Sequence, residues 1–114
     1  MAHSAIHPGE QLAEAIEASK ITVAQLAREI RVPANRITGV LHGTRAVTAD
    51  TAIRLGRYFG TSAEFWMNLQ QTYELRRAVK EIGDSLKIIP CAKGWTQNKR
   101  TKQYDEFFTA KTQS

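Results

Sequence analysis

Apolar side chains recur at three- and four-residue intervals along most of this chain, and before Lys87 they nowhere alternate as they would along a strand. The spacing predicts five helices. The first runs from Pro8 to Ser19, with proline in its first turn, an early acid, Glu10, that suits the helix dipole, and Leu12 and Ile16 four apart. The second covers about Val23–Ile30: Thr22 and Gln25 have the spacing of a capping box, and Val23, Leu26, Ala27 and Ile30 share one side. The third begins at Ala34, repeats Ile37, Val40 and Leu41 at i, i+3 and i+4, and meets Gly43, a residue suited to a helix end. Thr48 reads as the N-cap of a fourth helix, whose stripe of Ala52, Leu55, Gly56 and Phe59 ends at Gly60. Ser62 caps a fifth, from Ala63 to about Ile82. Its apolar residues Phe65, Trp66, Met67, Leu69, Tyr73, Leu75, Val79 and Ile82 cover more than one stripe, and a helix apolar on two sides needs two partners.

The expected fold class is therefore all-α, with one domain over residues 1–82 that ends in the long fifth helix. From residue 83 to 114 the periodicity fails. Leu86-Lys87-Ile88-Ile89-Pro90 is briefly apolar, then Lys93 to Ser114 is polar and basic with Trp95, Tyr104, Phe107 and Phe108 scattered through it, the composition of a mobile tail.

The second and third predicted helices are joined by about three residues, Gln25-Leu26-Ala27 lies in the first of the pair, and Val32 falls in the turn. This is a helix-turn-helix arrangement, in which Leu26, Ala27, Val32, Ile37 and Leu41 pack together and make the third helix project. Ala27 is small where the two helices cross. The other side of the third helix carries Ala34, Asn35, Arg36, Thr38 and Gly39, which suit the major groove of B-DNA: Arg pairs bidentately with guanine and Asn with adenine, Thr meets a thymine methyl or a phosphate, and Ala and Gly allow close approach. Arg36 fits a base contact or a phosphate contact equally well. Thr22, Gln25, His42, Thr44 and Arg45 fall at helix ends and in the following loop, where phosphate contacts that fix register are expected.

Composition narrows the function classes. At 114 residues the chain has the length of a single domain. No apolar stretch approaches the ~18 residues of a membrane span, and the first residues lack the basic and apolar regions of a signal peptide, so a cytoplasmic protein is expected. Cys91 is the only cysteine, which excludes an internal disulfide and a cysteine-based zinc site. His3 and His7 are four apart, but Pro8 opposes a helix through them and no third ligand is evident. With no glycine-rich phosphate loop, carboxylate pair or nucleophile constellation, neither an enzyme nor a cofactor is expected. The net charge is +5 and the isoelectric point near 9.7, consistent with a polyanionic partner. Residues 1–82 carry 10 Lys/Arg against 8 Asp/Glu and residues 83–114 carry 6 against 3, which places most of the excess in the tail.

The chain resembles the XRE/Cro-like (lambda-repressor-like) helix-turn-helix proteins, and within them the HigA/VapI branch of type II antitoxins. The likeness rests on His7-Pro8-Gly9-Glu10, Gln25-Leu26-Ala27, Asn35-Arg36-Ile37, Thr48 to Leu55, and above all the string from Phe59 to Gln70, Phe-Gly-Thr-Ser-Ala-Glu-Phe-Trp-Met-Asn-Leu-Gln. That resemblance implies a homodimeric antitoxin that neutralises a RelE-like, ribosome-dependent mRNA endonuclease toxin and represses its own operon by binding double-stranded operator DNA. The family dimerises through its C-terminal part, which makes Trp66, Leu69 and Tyr73 candidate interface residues; Trp66 and Tyr73 fit a monomer core as well. Two other readings compete: a free-standing transcriptional repressor with no toxin, from the helix-turn-helix alone, and a protein-interaction module whose DNA-reading helix has drifted, from Gly39 in mid-helix.

Overall fold

The computed structural model describes residues 7–95. Its helices are α1 (Pro8–Ser19), α2 (Val23–Ile30), α3 (Ala34–His42), α4 (Ala49–Phe59), α5 (Ala63–Ile82) and α6 (Ser85–Ile88), followed by a single 3-10 turn at Lys93–Trp95; no strand occurs among the described residues. The five expected helices are present. The additional α6 is one exposed turn in which Lys87 lies 3.6 Å from Asp84, too short for a periodic signal. Much of the expected tail, including Tyr104, Phe107 and Phe108, lies outside the described residues. The described residues form two compact units, and the division falls inside α5: residues 7–74 belong to one unit, and residues 75–95 to the other. In the second unit Arg77 pairs with Glu81 one turn on, and Val79 is buried.

The first unit is built around α3, which packs chiefly against α1 and α2. Leu12 of α1, Leu26 of α2, Ile37 and Val40 of α3, Leu55 of α4 and Trp66 of α5 are all buried in one cluster. Each large apolar side chain there contributes ~1.5–3 kcal/mol relative to exposure. Ala27 and Val32 are buried with them and Leu41 is partly buried against them, so the helix pair is fixed by the expected residues.

The start of α1 explains the His7-Pro8-Gly9 sequence. The His7 Nδ1 accepts a hydrogen bond from the Gly9 N–H at 2.8 Å and so caps the helix, Pro8 occupies the first turn, and the imidazole stands edge-on to Tyr73 with ring centres 4.6 Å apart. Gly9 rests directly on the end of α3. A methyl group at residue 9 would stand 2.4 Å from the Val40 carbonyl oxygen and 2.9 Å from that of Leu41, so only glycine permits this contact.

The Phe59–Gln70 string closes the other side of the unit. Trp66 is 1% exposed, and its indole N–H donates to the Thr61 hydroxyl oxygen at 2.8 Å. Ser62 caps α5 by accepting from the Phe65 N–H at 3.1 Å. Gln70, 7% exposed, accepts the Val47 N–H at 2.8 Å through its side-chain oxygen and donates to Glu74 at 2.7 Å, which pins the loop before α4 onto α5. Trp66 therefore belongs to the monomer core, and the expectation that it lies at a dimer interface is corrected: a side chain enclosed in its own chain has no surface to offer a second copy. Leu69 and Tyr73 are half-buried, Leu69 packing against the same core.

Candidate nucleic-acid interface

The geometry of α3 begins with its N-terminus. Pro33 occupies the cap position, and no side chain caps the helix, so the first N–H groups point outward beside the exposed Ala34 and Asn35. Those dipoles favour an anion. Thr38 is half-exposed one turn on, its hydroxyl donating to the Asn35 carbonyl at 3.4 Å. His42 is exposed at the opposite end of the helix, which the rise per residue places ~12 Å away.

Arg36 is held. Its Nη1 donates to Asp50 Oδ2 in the first turn of α4, and the same oxygen accepts the Arg54 Nε–H at 3.0 Å. Arg54 in turn donates from Nη1 to the Ile30 carbonyl at the end of α2, at 2.7 Å. Arg54, and Arg36 after it, hold the Asp50 carboxyl below its ordinary range, so the carboxylate is ionised at neutral pH. Arg36, Arg45 and Arg54 share with Asp50 a groove of about 360 Å³.

Gly39 has a different reason from the one expected. A methyl group there would lie 2.9 Å from the Arg45 Cβ and 3.2 Å from its Nε, so the space beside the glycine is filled by Arg45 and is not left open for DNA. The Gly39 carbonyl accepts the N–H groups of Thr44 at 2.9 Å and Arg45 at 3.0 Å, which folds the loop back along α3. The structure thus brings Arg36, Gly39, Thr44 and Arg45 together, with Thr38 on the same helix. Thr22 and Gln25 stand apart at the start of α2. The Thr22 hydroxyl oxygen accepts the Gln25 N–H at 3.0 Å, while the Gln25 side chain donates to Glu29 at 3.3 Å and does not complete a capping box. Among the described residues Arg45 forms no ion pair, in contrast to Arg36.

Two site residues, Asp50 and Arg54, escape the sequence reading. Their i,i+4 spacing on α4 was visible, but the link from Asp50 to Arg36, 14 residues apart, is tertiary. The charge also needs correcting. From α2 to the end of α4, residues 23–59, there are six arginines against Glu29 and Asp50, net +4; the acids of α1 conceal this in any sum over residues 1–82. The helix-turn-helix itself is basic, as a surface facing phosphate should be.

Comparison with known proteins agrees with this geometry. A helix-turn-helix family model matches residues 12–66. Virulence-associated protein I of Dichelobacter nodosus is 40% identical over 87 residues, which cover 75% of this chain and 81% of that protein. Among solved structures, an addiction module antidote protein of the HigA family from Coxiella burnetii superposes with a TM-score of 0.74 at 43% identity, over 79% of this chain and 99% of that one. The Pseudomonas aeruginosa antitoxin HigA, solved with the higBA promoter, gives a TM-score of 0.72 at 43% identity, over 76% and 96% of the two chains. With the fold, the motif residues and near-complete coverage of these relatives in agreement, the chain belongs to the HigA family of helix-turn-helix antitoxins.

Proposed function

We propose that this chain is a cytoplasmic type II antitoxin that binds operator DNA through α3, represses its own operon, and neutralises a RelE-like mRNA endonuclease. The observation that carries this reading is the likeness, over 96% of its length, to an antitoxin solved with promoter DNA. The basic α2–α4 surface and the uncapped start of α3 supply the physical means. In this reading Arg36 and Asn35 read bases, and Thr38 contacts a thymine methyl or a phosphate. Arg45, Thr44, Thr22, Gln25 and His42 hold phosphates, together with the first N–H groups of α3. The activity is binding and not turnover. No helix among the described residues is long and apolar enough to cross a membrane.

Repression of a palindromic operator requires two copies of α3 about one DNA turn (~34 Å) apart, which a two-fold homodimer provides. Its interface falls on α5, with the exposed parts of Leu69 and Tyr73 as candidate contacts. The test is growth of cells expressing the product of the neighbouring small reading frame, with and without this chain, followed by co-purification. Growth arrest that is relieved by this chain, with a stable complex of the two, is the expected result. A neighbour that is harmless, or that does not bind, leaves a free-standing repressor.

A further inference from the structure

We propose that Asp50 is a positioning residue for base recognition: it fixes the Arg36 guanidinium on α3 and thereby sets sequence discrimination without touching DNA itself. The inference rests on the reading of Arg36 as a base reader.

An exposed carboxylate at the edge of a DNA-binding surface opposes binding, since it faces phosphates of its own sign. Asp50 is exposed, 55% of its side chain being open to solvent, yet it lies in the groove shared by Arg36 and Arg45. Its bonds account for that placement. The Ile30 carbonyl anchors Arg54, Arg54 anchors Asp50 Oδ2, and that same oxygen takes one N–H of Arg36. The relay touches α2 at Ile30, α4 at Arg54 and Asp50, and α3 at Arg36, so the direction of the Arg36 side chain is set by the rigid α2–α3–α4 scaffold. A guanidinium has five N–H donors in a planar fork. Asp50 uses the Nη1 side of that fork, and the remaining donors are aimed instead of free to sample rotamers. The carboxylate also lies between two arginines, so the cluster keeps a net positive charge. Arg45 in the same groove has no such carboxylate and suits a contact that needs charge without direction.

The test compares binding of the full chain to the DNA immediately upstream of its own reading frame and to a scrambled duplex of the same length and composition. Asp50→Asn keeps the side-chain shape and an oxygen acceptor but removes the charge. It should weaken binding to the upstream DNA about 3- to 10-fold, the effect of releasing one ordered side chain, with no weakening on the scrambled duplex. Asp50→Glu should recover part of the discrimination. In an Arg36→Ala background, Asp50→Asn should leave discrimination where Arg36→Ala alone leaves it. Equal changes on both duplexes would reduce Asp50 to a background charge and overturn the proposal. A further loss of discrimination in the Arg36→Ala background would do the same, because Asp50 would then act through another group. If Arg36→Ala itself leaves discrimination intact, the base-reading role fails, and that outcome is distinct from a failure of Asp50 alone. Circular dichroism on each variant separates these results from loss of fold.

Discussion

Two segments of the first unit put their polar side chains to opposite uses. Between Phe59 and Gln70 three polar side chains serve the chain's own structure: Thr61 receives the Trp66 indole, Ser62 caps α5, and the buried Gln70 satisfies the Val47 N–H. On α3 the polar groups turn outward, the helix start has no side-chain cap, and Arg36 is held by Asp50 at the rim of a groove. The first segment carries the more distinctive likeness to the family, yet its residues hold the scaffold. The second is shared in outline by any helix-turn-helix and is the segment proposed to meet DNA. A distinctive string therefore identifies the protein by how it is built, and the residues proposed to touch DNA lie elsewhere in the chain.

Substitutions can break this contrast, and the largest effect belongs to the inward segment. Trp66→Ala should destabilise the fold by about 3–5 kcal/mol, seen as a lowered thermal midpoint. DNA binding should survive at temperatures where the variant remains folded; loss of binding by a folded variant would mean that the two segments are not separable. Gln70→Leu strands the buried Val47 N–H and should remove about 1–3 kcal/mol of stability in denaturant unfolding. On the outward segment Arg36→Ala, which removes only a partly exposed ion pair, should cost at most about 1 kcal/mol of stability and weaken operator binding by about 1–3 kcal/mol with relaxed specificity, whereas Arg45→Ala should weaken binding to all sequences and reduce the salt slope by about one. A salt titration of both variants on operator and random DNA distinguishes the two arginines.

The smallest effect is on pH. Glu29, through the Tyr58 hydroxyl and then Gln25, and Asp50, through Arg54 and then Arg36, both have carboxyl pKa values below the ordinary range. The unfolded chain binds more protons at these groups, so their contribution is present above the ordinary carboxylate range and is lost as pH falls through the depressed native values. Tyr58 runs the other way. Its bond to Glu29 raises its pKa, and that contribution disappears as pH rises through the raised value. Glu29→Gln should flatten the acid side of a plot of thermal midpoint against pH, and an unchanged slope would remove Glu29 from the account.

The sequence is most legible where one residue acts on its own neighbours. Thr22, Thr48 and Ser62 accept the N–H groups of Gln25, Thr51 and Phe65, and Gly43 and Gly60 end α3 and α4 at φ +79° and +76°. It is less legible where a rule is locally broken. Lys20 and Arg31 end α1 and α2 in left-handed backbone at φ 55° and 65° without being glycine, and nothing in their residue type announces it. It is illegible where the cause is distant in the chain. The role of Gly39 depends on Arg45, and the orientation of Arg36 depends on Asp50. Periodicity shows that α5 is apolar on more than one side, but only packing shows that Trp66 faces its own core.

The contact of Gly9 with the Val40 and Leu41 carbonyls has a mechanical consequence. Where side chains separate two helices, a small push is absorbed as rotamers shift. Here backbone abuts backbone at the end of α3, and nothing compressible lies between. A displacement of the start of α1 therefore presses directly on the end of α3, the helix proposed to meet DNA.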